Sequence, residues 1–179
     1  MPNRKVLVPA ASIILFFSLA FCFSPRLWAQ NSSSSAPAPI LKITGNVKTP
    51  LSLSASDLKS MPRKTLKLEN PHSKKTEVYE GVPLSDLFQK AGAPQGHDLR
   101  GPMMTSYVLA EAADGYRVVF SLAELDSDFA DSDAIVADTL DGAPLGANEG
   151  PFKLVLPHDK RPARWVRMLQ SLTVAQLSR

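Results

Sequence analysis

The chain has 179 residues, of which 44% are hydrophobic and 21% charged, with 20 Lys and Arg against 17 Asp and Glu, three His and one Cys. Arg4, Lys5 and Arg26 lie in the first 29 residues, where there is no acid, so the remainder balances at 17 bases and 17 acids. The basic excess belongs to the leading segment, which removes the main argument for nucleic-acid binding.

Arg4 and Lys5 precede a nearly continuous apolar run from Val6 to Phe23, and Ala29 stands before Gln30. This is the three-part pattern of a secretory signal peptide over residues 1–29, which would deliver the chain to the periplasm or the outside. The rival reading is an uncleaved anchor, since roughly 18 apolar residues lie at the short edge of a bilayer span; contact with a membrane would then run through the leader alone. Phe21 occupies the small-residue position before Cys22 and argues against a lipoprotein. Cys22 falls inside the leader, so a chain beginning at Gln30 has no thiol and no disulfide.

Residues 30–39 are dominated by Ser, Ala and Pro and read as a disordered tether. The folded domain is expected over 40–179, about 140 residues, enough for one core. Leu41, Ile43 and Val47 predict a first strand broken at Gly45, with extended chain through Leu51 and Leu53. Ser54 and Asp57 predict a capped short helix through Leu58, ended by Pro62. Thr65–Glu69 and Thr76–Glu80 alternate apolar and polar residues around the turn-forming Asn70-Pro71-His72-Ser73, a strand-loop-strand signal.

Leu84, Leu87, Phe88 and Ala91 fall on one helical face, with Pro83 at the first turn and Gly92 as the stop. Asp114-Gly115 predicts a hairpin, and Ser121 with Glu124 a brief helix to Leu125. A buried strand is expected at Ala134–Ala137, a turn at Asp141-Gly142, and a strand over Phe152–Leu156. One helical turn is expected at Arg164–Leu169 and a closing strand at Leu172–Val174. The sum is an α+β fold, mostly β, with mixed sheets in layers and two or three short helices.

His72, His97 and His158 share no metal-ligand spacing with one another or with the cysteine, which argues against zinc. Asp126, Asp128, Asp131 and Asp133 lack the Gly and terminal Glu of an EF-hand loop. No serine sits in a Gly-x-Ser-x-Gly elbow. Residues 101–150 hold ten acids against Arg117, whereas 151–179 hold six bases against Asp159. Two readings stay open: the stretches neutralise each other, or His158, Lys160, Arg161 and Arg164, with Arg167 nearby, face a small anionic ligand. Trp165 is either core or a flat wall for a ring.

Five motifs occur in order: Gly81-Val82-Pro83-Leu84-Ser85-Asp86-Leu87-Phe88; Ala113-Asp114-Gly115-Tyr116; Ala137-Asp138 with Asp141-Gly142-Ala143-Pro144-Leu145; Gly150-Pro151-Phe152-Lys153-Leu154-Val155-Leu156-Pro157; and Lys160 with Arg164-Trp165-Val166. Together they resemble the oxidoreductase molybdopterin-binding domain of the sulfite oxidase family. The resemblance implies stacked β-layers with a β-grasp-like portion and a molybdopterin cofactor held by polar and basic residues, here His158, Lys160, Arg161, Arg164, Asn70 and His72. Family enzymes place a cysteine thiolate on molybdenum in the loop that corresponds to Glu69-Asn70-Pro71-His72, where this chain has none, and carboxylate or imidazole replaces a soft sulfur ligand poorly. Two functions follow as alternatives: an exported cofactor-binding protein, or a non-catalytic binding or interaction module of the same fold that has lost molybdenum. The alternating apolar patterns supply the fold; the loops leave the chemistry open.

Overall fold

The computed structural model describes residues 40–70 and 73–178. The expected signal peptide, the tether and His72 lie outside the described residues. Ten strands and two α-helices run in the order β1 Ile40–Gly45, β2 Leu51–Ser54, α1 Ala55–Lys59, β3 Lys64–Glu69, β4 Thr76–Pro83 and α2 Leu84–Ala91, then β5 Ser106–Ala112, β6 Arg117–Ser121, β7 Ile135–Leu140, β8 Ala143–Pro144, β9 Lys153–Val155 and β10 Leu169–Gln176. Among the described residues no helix is long and apolar enough to cross a membrane.

The fold is mostly β, in two sheets. The first has the order β2-β1-β10-β5-β6 and is mixed, because β1 and β10 pair in parallel while its other neighbours are antiparallel. The second has the order β3-β4-β7-β8, with β9 also on β7, and all its pairs are antiparallel. Side chains on successive residues of a strand point to opposite faces, which divides the interior. Leu41, Ile43, Val108, Phe120 and Leu172 of the first sheet share a large core with Val82, Val136 and Leu154 of the second. The other face of the second sheet carries a small separate cluster, Leu66, Tyr79, Ile135, Ala137 and Val155, with Trp165 packed against it.

Local chemistry explains the elements. Ser54 caps α1 in a reciprocal capping box with Asp57. Helix α2 buries Leu84, Leu87, Phe88 and Ala91, and ends at Gly92 in the left-handed region, φ 68°, whose N–H donates to the carbonyls of Phe88 and Gln89. Each fully buried Leu or Phe on that stripe contributes about 1.5–3 kcal/mol. Gly81 is required by close approach: a Cβ there would fall on the carbonyl oxygen of Val136 on the adjacent strand, next to its register partner Ala137.

The expected helical turn at Arg164–Leu169 is not formed. A 3-10 turn spans Pro162–Arg164 instead, and Val166, fully buried, exchanges backbone hydrogen bonds with Leu154 at 2.9 and 3.2 Å. Pairing with a strand distant in sequence satisfies the backbone that a helix would otherwise use, and Met168 has φ 48°, outside the helical region. The closing strand is accordingly longer than Leu172–Val174. Strand β7 begins and ends later than Ala134–Ala137, because the buried Asp138 is satisfied by Arg63 at 2.6 and 3.0 Å and does not interrupt it. The two-residue β8 and the 3-10 turns at Gly96–Asp98 and Gly101–Thr105 carry no periodic signal and were not expected. In the acidic run, the buried Asp126 accepts hydrogen bonds from the backbone of Gly96 at 2.7 Å and Asp128 at 2.8 Å, so it staples two loops together.

Candidate functional site

Strand alternation places Lys153 on the minor-cluster face of β9, between the core residues Phe152 and Leu154. Its side chain is 6% exposed. A buried ammonium requires compensation, and Lys153 has it: Nζ donates to the Tyr79 hydroxyl at 3.1 Å and to Glu149 Oε2 at 3.1 Å. It also lies 4.8 Å from the centroid of the Tyr79 ring and 5.4 Å from that of Trp165, within cation–π range. The two rings meet edge to face, 5.7 Å apart at 89°.

The network continues outward. The Tyr79 hydroxyl donates to Glu77 Oε2 at 2.7 Å, and Asn70 Nδ2 donates to Glu77 Oε1 at 2.6 Å. Burial first, and then the hydrogen bond to Glu77, push the Tyr79 hydroxyl far above the ordinary phenol value. It therefore remains a neutral donor at any physiological pH.

This chain of groups lines a cavity of about 430 Å³, in the size range of small-molecule sites. Leu68, Tyr79, Tyr116 and Trp165 form its apolar and aromatic walls. Its charged lining is Glu69, Glu77, Asp114 and Glu149 against Lys153 and Arg167. The Tyr116 hydroxyl donates to the carbonyl of Ala163 at 2.5 Å, tying the β5–β6 turn to the loop before Trp165 across the rim. The Trp165 indole donates to the carbonyl of Leu156 at 2.9 Å, which holds its ring in place.

The five described residues among those singled out in the sequence do not come together, and His72 lies outside the described residues. Asn70 lines this cavity. His158 and Arg164 line a different recess, together with Glu124, Asp131, Asp133 and Asp159. There Arg164 is fully engaged: Nε and Nη2 donate to Asp159 at 3.0 and 2.6 Å, Nη1 to Glu124 at 3.1 Å, and its guanidinium stacks 5.2 Å from the centre of Phe120. His158 is 61% exposed and 3.7 Å from Asp133. Lys160 and Arg161 are exposed and form no ion pair among the described residues. The pairs Arg164–Glu124 and Lys153–Glu149 join the base-rich terminal stretch to the acid-rich stretch before it, which is the mutual neutralisation set out above.

Lys153, Tyr79, Glu77 and Glu149 were missed in the sequence. The available signal was a lone lysine inside the apolar segment Phe152–Leu156, four residues after Glu149. Among the described residues no group of three or more His, Cys, Asp or Glu is arranged to hold a metal ion.

A family model described as the oxidoreductase molybdopterin binding domain matches residues 35–178. Among solved structures the chain is similar to the sulfane dehydrogenase SoxCD from Paracoccus pantotrophus, with a TM-score of 0.60 and 23% identity. That match covers 76% of this chain and only 38% of the SoxCD chain, so it bears on the fold. A search of curated proteins finds no match.

Proposed function

The chain belongs to the oxidoreductase molybdopterin-binding domain family, and from that premise we propose that it is an exported module of this fold that binds a small ligand in the Tyr79–Lys153–Trp165 cavity without a molybdenum centre. The observation that carries the reading is the cavity's lining. The loop that family resemblance aligns with the metal-ligating cysteine contributes Glu69 and Asn70 to the wall, and no described lining residue has a thiol. Hard carboxylate oxygens and a buried ammonium are a poor donor set for a soft, sulfur-ligated metal. Four carboxylates against two cations also suit an anionic pterin cofactor badly. The residues present do not fit the group, and no redox step is assigned to them.

Export is supported by the Arg4-Lys5, apolar-run and Ala29 pattern, with cleavage before Gln30. A cofactor-retaining oxidoreductase is the second reading, favoured by family membership alone. The test is a thermal-shift ligand screen on the purified protein, repeated with Trp165→Leu and with Arg161→Ala. Hits lost in the first variant and kept in the second support the cavity as the site. Hits lost with Arg161→Ala and kept with Trp165→Leu move the site to the terminal cations and sink the reading.

A further inference from the structure

We infer, resting on the reading of this cavity as a ligand site, that its ligand is a small organic cation with a flat apolar body rather than an oxyanion. The first ground is where the hydrogen-bond donors go. The Tyr79 hydroxyl donates to Glu77, the Tyr116 hydroxyl to Ala163, the Trp165 indole to Leu156 and the Asn70 amide to Glu77. Two of the three Lys153 protons are directed at Tyr79 and Glu149. Apart from the third Lys153 proton and the exposed Arg167, these side-chain donors are spent on the protein itself.

Acceptors are in surplus. Glu149 uses Oε2 for Lys153, and Asp114 uses Oδ1 for the Tyr116 backbone N–H at 3.0 Å. Glu149 Oε1 and Asp114 Oδ2 have no hydrogen-bond partner among the described residues, and both residues line the cavity. An amidinium or ammonium group supplies the N–H donors these oxygens lack, and a charge-assisted bond of this kind is about twice as strong as a neutral one.

The third ground is that the walls already hold a cation. The Lys153 ammonium rests against the Tyr79 and Trp165 rings, the arrangement by which aromatic cages take ammonium groups. Tyr116, 47% exposed at the rim, adds a further ring for a flat ligand. Among the described lining residues the sole exposed cation is Arg167.

The decisive probes are benzamidinium and benzoate, planar and nearly isosteric but opposite in charge, titrated at equal ionic strength while the Trp165 indole N–H is followed by NMR. Benzamidinium is expected to shift the resonance saturably and benzoate to leave it in place. Asp114→Asn retains the oxygen that accepts the Tyr116 N–H and replaces the charged, unpartnered oxygen by an amide NH2; it should weaken benzamidinium about fivefold, in line with a partly exposed charge pair. Arg167→Glu should strengthen it by a similar factor. Benzoate binding as tightly as benzamidinium, binding of neither, or indifference of benzamidinium to both variants overturns the inference. Benzoate binding alone would still leave a ligand module without molybdenum, whereas stoichiometric molybdenum in the protein would remove that reading itself.

Discussion

Removing either member of the Lys153–Glu149 pair should have very unequal consequences, because the two are unequally buried. The lysine side chain is 6% exposed and the glutamate 33%. Lys153→Met keeps the apolar stem, leaves Glu149 able to rehydrate, and leaves the Tyr79 hydroxyl its bond to Glu77. Removing one member of a buried pair is costly only when the charge left behind stays buried; Glu149 is one-third exposed and the lost cation–π contacts are worth about 0.5–2 kcal/mol, so a net cost near 1 kcal/mol is expected. Glu149→Ala does the opposite. It strands the ammonium among Tyr79, Trp165 and the β9 backbone, a change that costs about 3–5 kcal/mol when the charge left behind is buried. The double variant should return close to Lys153→Met, giving a coupling of about 3–5 kcal/mol in the thermodynamic cycle. Urea unfolding followed by circular dichroism, with equal m-values, measures all four corners. Lys153→Met as costly as Glu149→Ala, or additivity in the double variant, would refute the view that desolvation of the lysine governs this site.

Three further outcomes follow from the same geometry. Burial alone would raise the Asp138 carboxyl, but hydrogen bonds from Arg63 and Thr139 and the charge of Arg63 hold it below the usual carboxylate range. A group depressed on folding contributes stability above its unfolded value, about 3.9, and loses it as pH falls through the folded value. Arg63→Ala should therefore cost about 3 kcal/mol near neutrality, and acid titration of both proteins below about pH 4 should show that penalty shrinking. Gly81→Ala drives a methyl group into the Val136 carbonyl and should cost at least about 2 kcal/mol, read as a lower midpoint in the same urea assay. Arg164→Ala breaks its bonds to Asp159 and Glu124 and should cost about 1 kcal/mol, yet leave benzamidinium binding unchanged, because Arg164 serves a separate recess.

What was legible in the sequence was local. The α2 stripe, its Gly92 stop, the Asp114-Gly115 hairpin and the Ser54 cap each rest on interactions within a few residues, and each forms at or close to the expected place. Val166 was misread because the backbone it pairs with, Leu154, lies twelve residues away in the chain, and periodicity over so short a stretch cannot separate one helical turn from a bridge. The arginine cluster misled for a related reason. Neighbours in sequence between Lys160 and Arg167 diverge in space around the Pro162–Arg164 turn, so Arg164 is drawn to Asp159 and Glu124 while Trp165 and Arg167 line the other cavity. Conversely, Tyr79 lies on β4, far in sequence from Lys153 on β9 and from Glu149 in the loop before it, so no local pattern joins all three. The lone lysine in an apolar strand was their trace, and a buried charge always implies partners.

The most direct measurement is the molybdenum content of the protein, purified from its native host grown with ample molybdate and quantified by elemental mass spectrometry against protein concentration. A background level far below one atom per chain is predicted from a cavity that offers carboxylates and an ammonium but no thiolate. A stoichiometric atom of molybdenum, retained through purification, would contradict that prediction and return the chain to cofactor-dependent chemistry.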